Sequence, residues 1–316
     1  ASGNPARPRA GRASDAANTR AINAAAPPRG GGRGAKLGMT AVATAYLPTK
    51  VPVSGTMLVS VLLACFGDFG DRQGVYKQID TTQLLSFKYQ HVPHPIGVYV
   101  HAPVENDLIS TEILRTGTWD TDTASFLVDA FKQHPHALLL DLGANIGVFT
   151  VMTLLLGKRV ISVEAQAQNT DMLRRTIKHN GIQGRDLTLI NQPVSNTAGA
   201  IVSFQGPREN NGATNTMQLR KTCSPYQMGV TCGVTTTLDA ALSYVRNQDI
   251  IVKMDLEGAD CLALQGGSAF FAANRIVAIT AERQPWTLQW PKTFGCNFDD
   301  EMHKIVTRWG VKPHYS

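Results

Sequence analysis

The chain has 316 residues, 43% of them hydrophobic, which is enough to build one full-sized core. Its net charge of +6 sits at one end: residues 1–50 hold Arg7, Arg9, Arg12, Arg20, Arg29, Arg33, Lys36 and Lys50 against Asp15 alone, which leaves the remainder at −1. A partner rich in phosphate needs clustered Lys and Arg, and no cluster occurs in the sequence after residue 50, so the reading is against a nucleic-acid partner.

Three regions follow from composition. Residues 1–50 form a basic low-complexity tail, and its first 38 residues are too poor in large apolar side chains to offset the entropy of ordering, so they read as disordered. The tail fits an organelle transit peptide and an inert extension equally well. An organelle or the secretory pathway is favoured over the cytoplasm. Residues 51–104 form an N-terminal extension. Within it, residues 57–66 are ten apolar or small residues, short of the ~18–20 that span a bilayer. A packed helix is the stronger reading there, with a weak membrane anchor as the other. Residues 105–316 form the main domain.

Leu85–His91 and Ile96–His101 read as a hairpin around a Pro-containing turn. Asn106–Arg115 and Thr123–Gln133 read as helices, broken by Gly117-Thr118-Trp119-Asp120. Strands are expected at Ala137–Leu142, Arg159–Val163, Leu187–Asn191, Ile250–Leu256 and Ile276–Ala281. Helices are expected at Gly147–Leu156, Asn169–Asn180 and Asp260–Ala273, and Val311–Ser316 reads as one last strand. Strands alternating with helices give an α/β fold, a doubly wound and mostly parallel sheet covered on both faces.

The strongest motif is Asp141-Leu142-Gly143-Ala144-Asn145-Ile146-Gly147, which leaves a buried strand and opens a helix. Ligands of doubly wound sheets sit beyond the carboxyl ends of such strands. Gly143 and Gly147 are taken to clear space for a ligand at the backbone. Glu164 ends the next strand, 21 residues after Gly143, where a carboxylate can accept the hydroxyls of a ribose. A dinucleotide wants GxGxxG; here the spacing is GxxxG with Asp141 two places ahead, a charge that repels a pyrophosphate and suits an ammonium group. The pattern therefore favours S-adenosylmethionine. The competing readings are a nicotinamide-dependent oxidoreductase and a catalytically inactive binding module.

On strand 250–256, alternation places Ile251, Lys253, Asp255 and Glu257 on one face. Charges on a central strand are costly unless paired or functional. Asp255 and Glu257 are the candidate general bases, with His179 and His91 weaker. Asp255, Glu257 and Glu282 could group around a hard cation, but no spacing is diagnostic and no metal is assigned. Phe204–Thr236 reads as a long loop forming the acceptor rim. The five cysteines, Cys65, Cys223, Cys232, Cys261 and Cys296, show no zinc spacing and read first as separate thiols; Cys223 and Cys232 can bridge in an oxidising compartment.

Together these residues resemble the FkbM-type methyltransferases over roughly residues 105–283. The resemblance rests on Gly117-Thr118-Trp119-Asp120, the segment 141–150, Val163-Glu164-Ala165, Lys178-His179-Asn180-Gly181, Val194-Ser195-Asn196, Thr237-Leu238-Asp239 and Lys253-Met254-Asp255-Leu256-Glu257-Gly258-Ala259-Asp260. It implies a Rossmann-like class I methyltransferase that moves a methyl group from S-adenosylmethionine to a hydroxyl of a sugar, glycan or small metabolite. Carried over, Asp141, Gly143, Ala144, Asn145 and Gly147 cradle the methionine end. Glu164 and Ala165 meet the ribose, Gln192, Val194 and Ser195 flank the adenine, and Asp255 lies near the transferred methyl. The family usually has Glu where this chain has Asp120 and Asp260, and Pro where it has Ala165-Gln166, which weakens Gln166 as a site residue.

Overall fold

The computed structural model describes residues 82–89, 92, 94–102, 107–205, 216–220, 222–223, 230–282 and 295–316, all within the unit Tyr76–Ser316. The tail, residues 57–66 and His91 lie outside these. Among the described residues no helix is long and apolar enough to cross a membrane.

The first half runs β1 (Thr82–Phe87), β2 (Ile96–His101), α1 (Leu108–Thr116), α2 (Thr121–Gln133), β3 (Leu138–Leu142), α3 (Val148–Leu155), β4 (Val160–Val163), α4 (Ala167–His179) and β5 (Leu187–Ile190). The second half runs β6 (Ile201–Gln205), β7 (Thr216–Leu219), β8 (Val230–Val234), α5 (Leu238–Ala241), β9 (Asp249–Met254), α6 (Asp260–Gln265), α7 (Ser268–Ala273), β10 (Arg275–Ala281), α8 (Phe298–Trp309) and β11 (His314–Tyr315).

The main sheet has the order β11-β10-β9-β3-β4-β5, and every neighbouring pair is parallel. The fold is the expected Rossmann-like α/β arrangement. The chain steps outward from β3 to β5, then returns to place β9 on the other side of β3. That reversal makes the carboxyl ends of β3 and β9 the switch point where such sheets hold ligands. One face packs Leu140, Leu142, Val252 and Met254 under Leu238, Leu262, Phe271 and Met302. The other packs Leu139 and Ile251 under Leu127, Phe131, Val151, Met172 and Leu173, and extends to Phe87, Ile96 and Val98 of the hairpin.

Four expectations need correction. The segment read as one helix, 260–273, is two helices broken at Gly266-Gly267. A side chain on Gly266 would come within 3.0 Å of the Ser195 carbonyl carbon, so the backbones must meet there. The insertion read as a loop contains an antiparallel sheet in the order β7-β6-β8. Four cysteines are bridged, Cys223 to Cys232 and Cys261 to Cys296; the second pair, 35 residues apart, has no signature in the sequence. Strand β9 ends at Met254, and Glu257 and Gly258 turn to φ of 52° and 93°. Strict alternation therefore does not carry through to Glu257.

Helix α8 was not expected. Its start is nonetheless written in the sequence: the Asn297 side chain accepts the Asp299 N–H, and Asp299, Asp300 and Glu301 fill the first turn.

Candidate active site

Register builds the site. Thr280 pairs with His314 and Lys253, Lys253 with Asp141, and Asp141 with Ser162. These side chains form one polar row across five strands, near the carboxyl ends and on a single face. Asp141, Ser162, Thr280 and Lys253 are buried. The Thr150 hydroxyl, from α3, donates to Asp141 Oδ2 at 2.6 Å and lies 2.5 Å from Ser162 Oγ.

Lys253 is the centre of this row. Its Nζ donates to the Gly143 carbonyl at 2.8 Å and lies 3.6 Å from Asp141 Oδ1 and 3.4 Å from Asp255 Oδ2. Burial alone would push the ammonium pKa down, but Asp255, Asp141 and Glu164 outweigh it and hold Lys253 above the usual lysine value. Burial pushes the Asp141 carboxyl up, against the pull of Lys253 and the Thr150 hydroxyl. Asp141 is buried, its Oδ1 without a hydrogen-bond partner, and it is tied into the site through Lys253 and Thr150.

The turn Gly143–Gly147 ties two carboxylates together. Gly143 N and Ala144 N both donate to the Val163 carbonyl, at 2.9 and 3.0 Å. Asn145, at φ 52°, donates its backbone N–H to Glu164 Oε2 at 2.8 Å, and its own side chain accepts the Ile146 N–H. On the other side, a side chain on Gly143 would come within 2.8 Å of the Asp255 carbonyl carbon and closer still to its oxygen. One on Gly147 would come within 2.9 Å of Leu173 Cγ. These glycines, at φ 78° and 87°, are therefore required by the protein's own packing. Close approach of Asp255 and Leu173 is thus a reason for these glycines independent of any ligand.

Glu164 is buried at the carboxyl end of β4. Besides Asn145, it accepts from Gln166 N at 2.8 Å and Asn169 Nδ2 at 3.4 Å. Burial raises its pKa against these three donors. A carboxylate offers about four lone-pair directions, so roughly one remains for a ligand hydroxyl. Asn191, which the sequence did not single out, donates to the carbonyls of Glu164 and Ala165 at 2.9 and 3.3 Å and fixes this bend. Ala165 is partly open and Gln192 is exposed, whereas the Val194 side chain belongs to the core. Ser195 is buried, its N–H donating to the Thr236 carbonyl at 2.9 Å.

The Asp255 side chain is 39% exposed. It lines a cavity of about 460 Å³ together with Trp119, Asp120, Thr123, Lys253 and Glu282. Glu112, Asp122, His314, Tyr315 and Ser316 also line it. The walls come from α1, the start of α2 and the ends of β9, β10 and β11; none of the described residues of the Phe204–Thr236 insertion is among them. Glu257 is pushed up to about 7 by burial, then by Asp255 and Asp260. Asp260, pushed up to about 6 by burial and by Asp255, accepts the N–H groups of Leu256 and Gly258 at 3.1 and 3.2 Å and so shapes the turn between the acids. Among the described residues no three His, Cys, Asp or Glu group to hold a metal, so the Asp255, Glu257 and Glu282 cation site is not formed. His179 is set apart from this site, its ring edge-on to Tyr99 beside Gly97.

Arginines distant in sequence, Arg159, Arg185 and Arg246, line a separate cavity of about 280 Å³ with Tyr244, against β3 and β4 residues Leu138 and Val160 at the opposite end of those strands. No basic cluster was visible along the chain because the fold creates this one.

Residues 141–312, more than half of the chain, match the family model described as the methyltransferase FkbM domain. A comparison with curated proteins returns no match. Among solved structures, the chain is similar to PH1948 from Pyrococcus horikoshii, at 17% identity and a TM-score of 0.29, over 55% of this chain and 64% of that one. It is also similar to TehB from Haemophilus influenzae, at 14% identity and a TM-score of 0.30, over 57% and 44%. A third is the T. thermophilus 16S rRNA methyltransferase RsmC, solved with AdoMet and guanosine, at 13% identity and a TM-score of 0.33, over 62% and 40%. The chain thus spans less than two thirds of the length of each of these structures.

Proposed function

The chain belongs to the FkbM methyltransferase family, and we propose that it takes the methyl group from S-adenosylmethionine and places it on a hydroxyl of a sugar, glycan or small metabolite. The observation that carries this reading is the Gly143–Gly147 turn, which donates to the Glu164 carboxylate on one side and backs onto Asp255 on the other. A cofactor with a ribose at one end and a reactive methyl at the other fits a site with an acceptor carboxylate at each end.

The residues present suit that cofactor. Glu164 retains roughly one open lone-pair direction for a ribose hydroxyl. Thr123, which lines the cavity, and Asp141 each keep a buried side-chain oxygen without a hydrogen-bond partner, Oγ1 and Oδ1. Asp141 and Asp255 exceed the single charge of Lys253, which favours a cationic sulfonium and disfavours the pyrophosphate of a nicotinamide cofactor. When bound, S-adenosylmethionine supplies an electrophilic methyl group.

The chain's own residues do the rest. The cavity beside Asp255 holds the acceptor, and positioning supplies much of the rate. Asp255 takes the hydroxyl proton, because its carboxyl group lines the cavity. The Lys253 ammonium donates to Asp255 Oδ2 at 3.4 Å and orients the carboxylate. Glu257, pushed up to about 7, is the second candidate base, although it lies in the turn after Asp255 and not in the cavity lining. Glu112, Asp120, Asp122 and Glu282 give the cavity a negative lining, which supports a neutral acceptor over a phosphate-rich one. The two disulfides support an oxidising compartment.

Thermal-shift titration tests the cofactor. A ligand bound only by the native state raises the melting temperature. S-adenosylmethionine and S-adenosylhomocysteine should each do so and NAD(P) should not; the opposite pattern overturns the reading in favour of an oxidoreductase.

A further inference from the structure

The proposed ribose carboxylate is held from behind by a residue outside the family match. His101, the last residue of β2, is 1% exposed. Its Nε2 lies 2.8 Å from Asn169 Oδ1, and Asn169 Nδ2 donates to Glu164 Oε1 at 3.4 Å. The direction of this chain is fixed by chemistry. Both oxygens of Glu164 already accept backbone N–H groups. The Asn169 amide must therefore meet the carboxylate with its nitrogen, since its oxygen would face another acceptor. Asn169 Oδ1 then points at His101, so His101 carries its proton on Nε2.

The histidine is itself locked. Its backbone N–H donates to Ser110 Oγ at 3.2 Å, and the Ser110 hydroxyl donates to Asp107. Strand β2 is clamped to α4, the helix that carries Asn169. The Asn180 side chain accepts from Gly97 N at 3.1 Å and donates to Gly97 O at 2.6 Å. Tyr99 N donates to Thr176 Oγ1 at 2.9 Å, and the Arg175 guanidinium lies 4.1 Å from the centre of the Tyr99 ring. Side chains of α4 thus satisfy the outer edge of β2, and the hairpin cannot shift without moving His101.

We infer that His101 is a positioning residue for the cofactor: it locks the Asn169 amide, which holds Glu164 Oε1 in place and leaves the open lone-pair direction aimed at the ribose. The N-terminal hairpin is thereby a functional part of the cofactor site. The inference rests on the reading that Glu164 takes a ribose hydroxyl. A histidine that served only as packing would affect stability and all ligands alike, whereas a relay through Glu164 affects only ligands with ribose hydroxyls.

The test is a comparison of two ligands by calorimetric titration of the full chain: S-adenosylhomocysteine and its analogue lacking both ribose hydroxyls. The measured quantity is the ratio of their dissociation constants. Glu164→Gln should collapse that ratio towards one. His101→Leu should lower it roughly fivefold, the worth of about one hydrogen bond. His101→Gln, whose amide nitrogen replaces Nε2–H, should stay within about twofold of the wild-type ratio. If Glu164→Gln collapses the ratio and His101→Leu leaves it intact, the relay is overturned while the ribose reading stands. If Glu164→Gln leaves it intact, the ribose reading and the relay both fall. Should His101→Leu not fold, loss of selectivity in a folded Asn169→Ser variant supports the relay, and wild-type selectivity there overturns it.

Discussion

Gly143→Ala separates two explanations of the same glycine. If Gly143 only makes room for a ligand, the substitution leaves the free protein almost untouched and blocks binding. The structure requires something else. At φ 78° an alanine costs about 1–2 kcal/mol. Its Cβ would also lie within 2.8 Å of the Asp255 carbonyl carbon, and a backbone atom directly after a central strand cannot swing aside as a side chain would. Forcing β3 and β9 apart at this point adds about 1–3 kcal/mol. The total, about 3 kcal/mol, lowers Tm by roughly 6–12 °C in a unit of this size. Circular-dichroism melting of the ligand-free variant measures it. A Tm within about 2 °C of wild type, with binding abolished, would refute the packing argument and restore the ligand explanation.

Other substitutions probe the charges and the bridges. Asp255→Asn should lower kcat by about 10²–10⁴. Glu257→Gln should lower it less but remove an inflection near pH 7 from the pH–rate profile, since Glu257 ionises only as pH rises through about 7; the reverse ranking makes Glu257 the principal base. Lys253→Met strands the buried Asp141 carboxylate and should cost about 3–5 kcal/mol. Because burial raises the Asp141 pKa, the native protein then holds a proton the unfolded chain has released, so the loss should shrink as pH falls. Equal losses in urea melts at pH 5 and pH 8 would show that Asp141 is not the stranded group. Cys261→Ser should cost about 4 kcal/mol and Cys223→Ser about 2.5 on the chain-entropy model, given separations of 35 and 9 residues. Mass spectrometry of the non-reduced, alkylated protein should find both linked peptide pairs, and four alkylated thiols would remove the bridges.

The alternating architecture was legible because its strands are buried on both faces. Leu138–Leu142 and Val160–Val163 are wholly buried, so they read as apolar runs between turn residues, interrupted only by Asp141 and Ser162. The site's position was legible too, since Gly143, Glu164 and Asp255 all follow such runs. Its wiring was not. Asp141 and Lys253 are 112 residues apart and become neighbours only through the β3–β9 register. The reason for each glycine lies in a partner from another element, Asp255 or Leu173, which spacing along the chain does not reveal. Cys261 and Cys296 meet only after α6 and the start of α8 pack together. The sheet within the insertion escaped notice because its strands are four or five residues long and carry turn-forming neighbours. Asn169 and Asn191 looked like ordinary polar residues, and only their hydrogen bonds to Glu164 give them a role.

The central claim is methyl transfer from S-adenosylmethionine to a hydroxyl at the Asp255 cavity. The direct measurement incubates the full chain with methyl-labelled S-adenosylmethionine and a panel of neutral sugars, glycans, hydroxylated metabolites and RNA. Product mass and the position of the label are then determined, with Asp255→Asn as the control. The account expects label on an oxygen of a neutral acceptor, and a rate reduced at least a hundredfold by Asp255→Asn. Label found only on RNA or on nitrogen, or an unchanged rate in the variant, would contradict it.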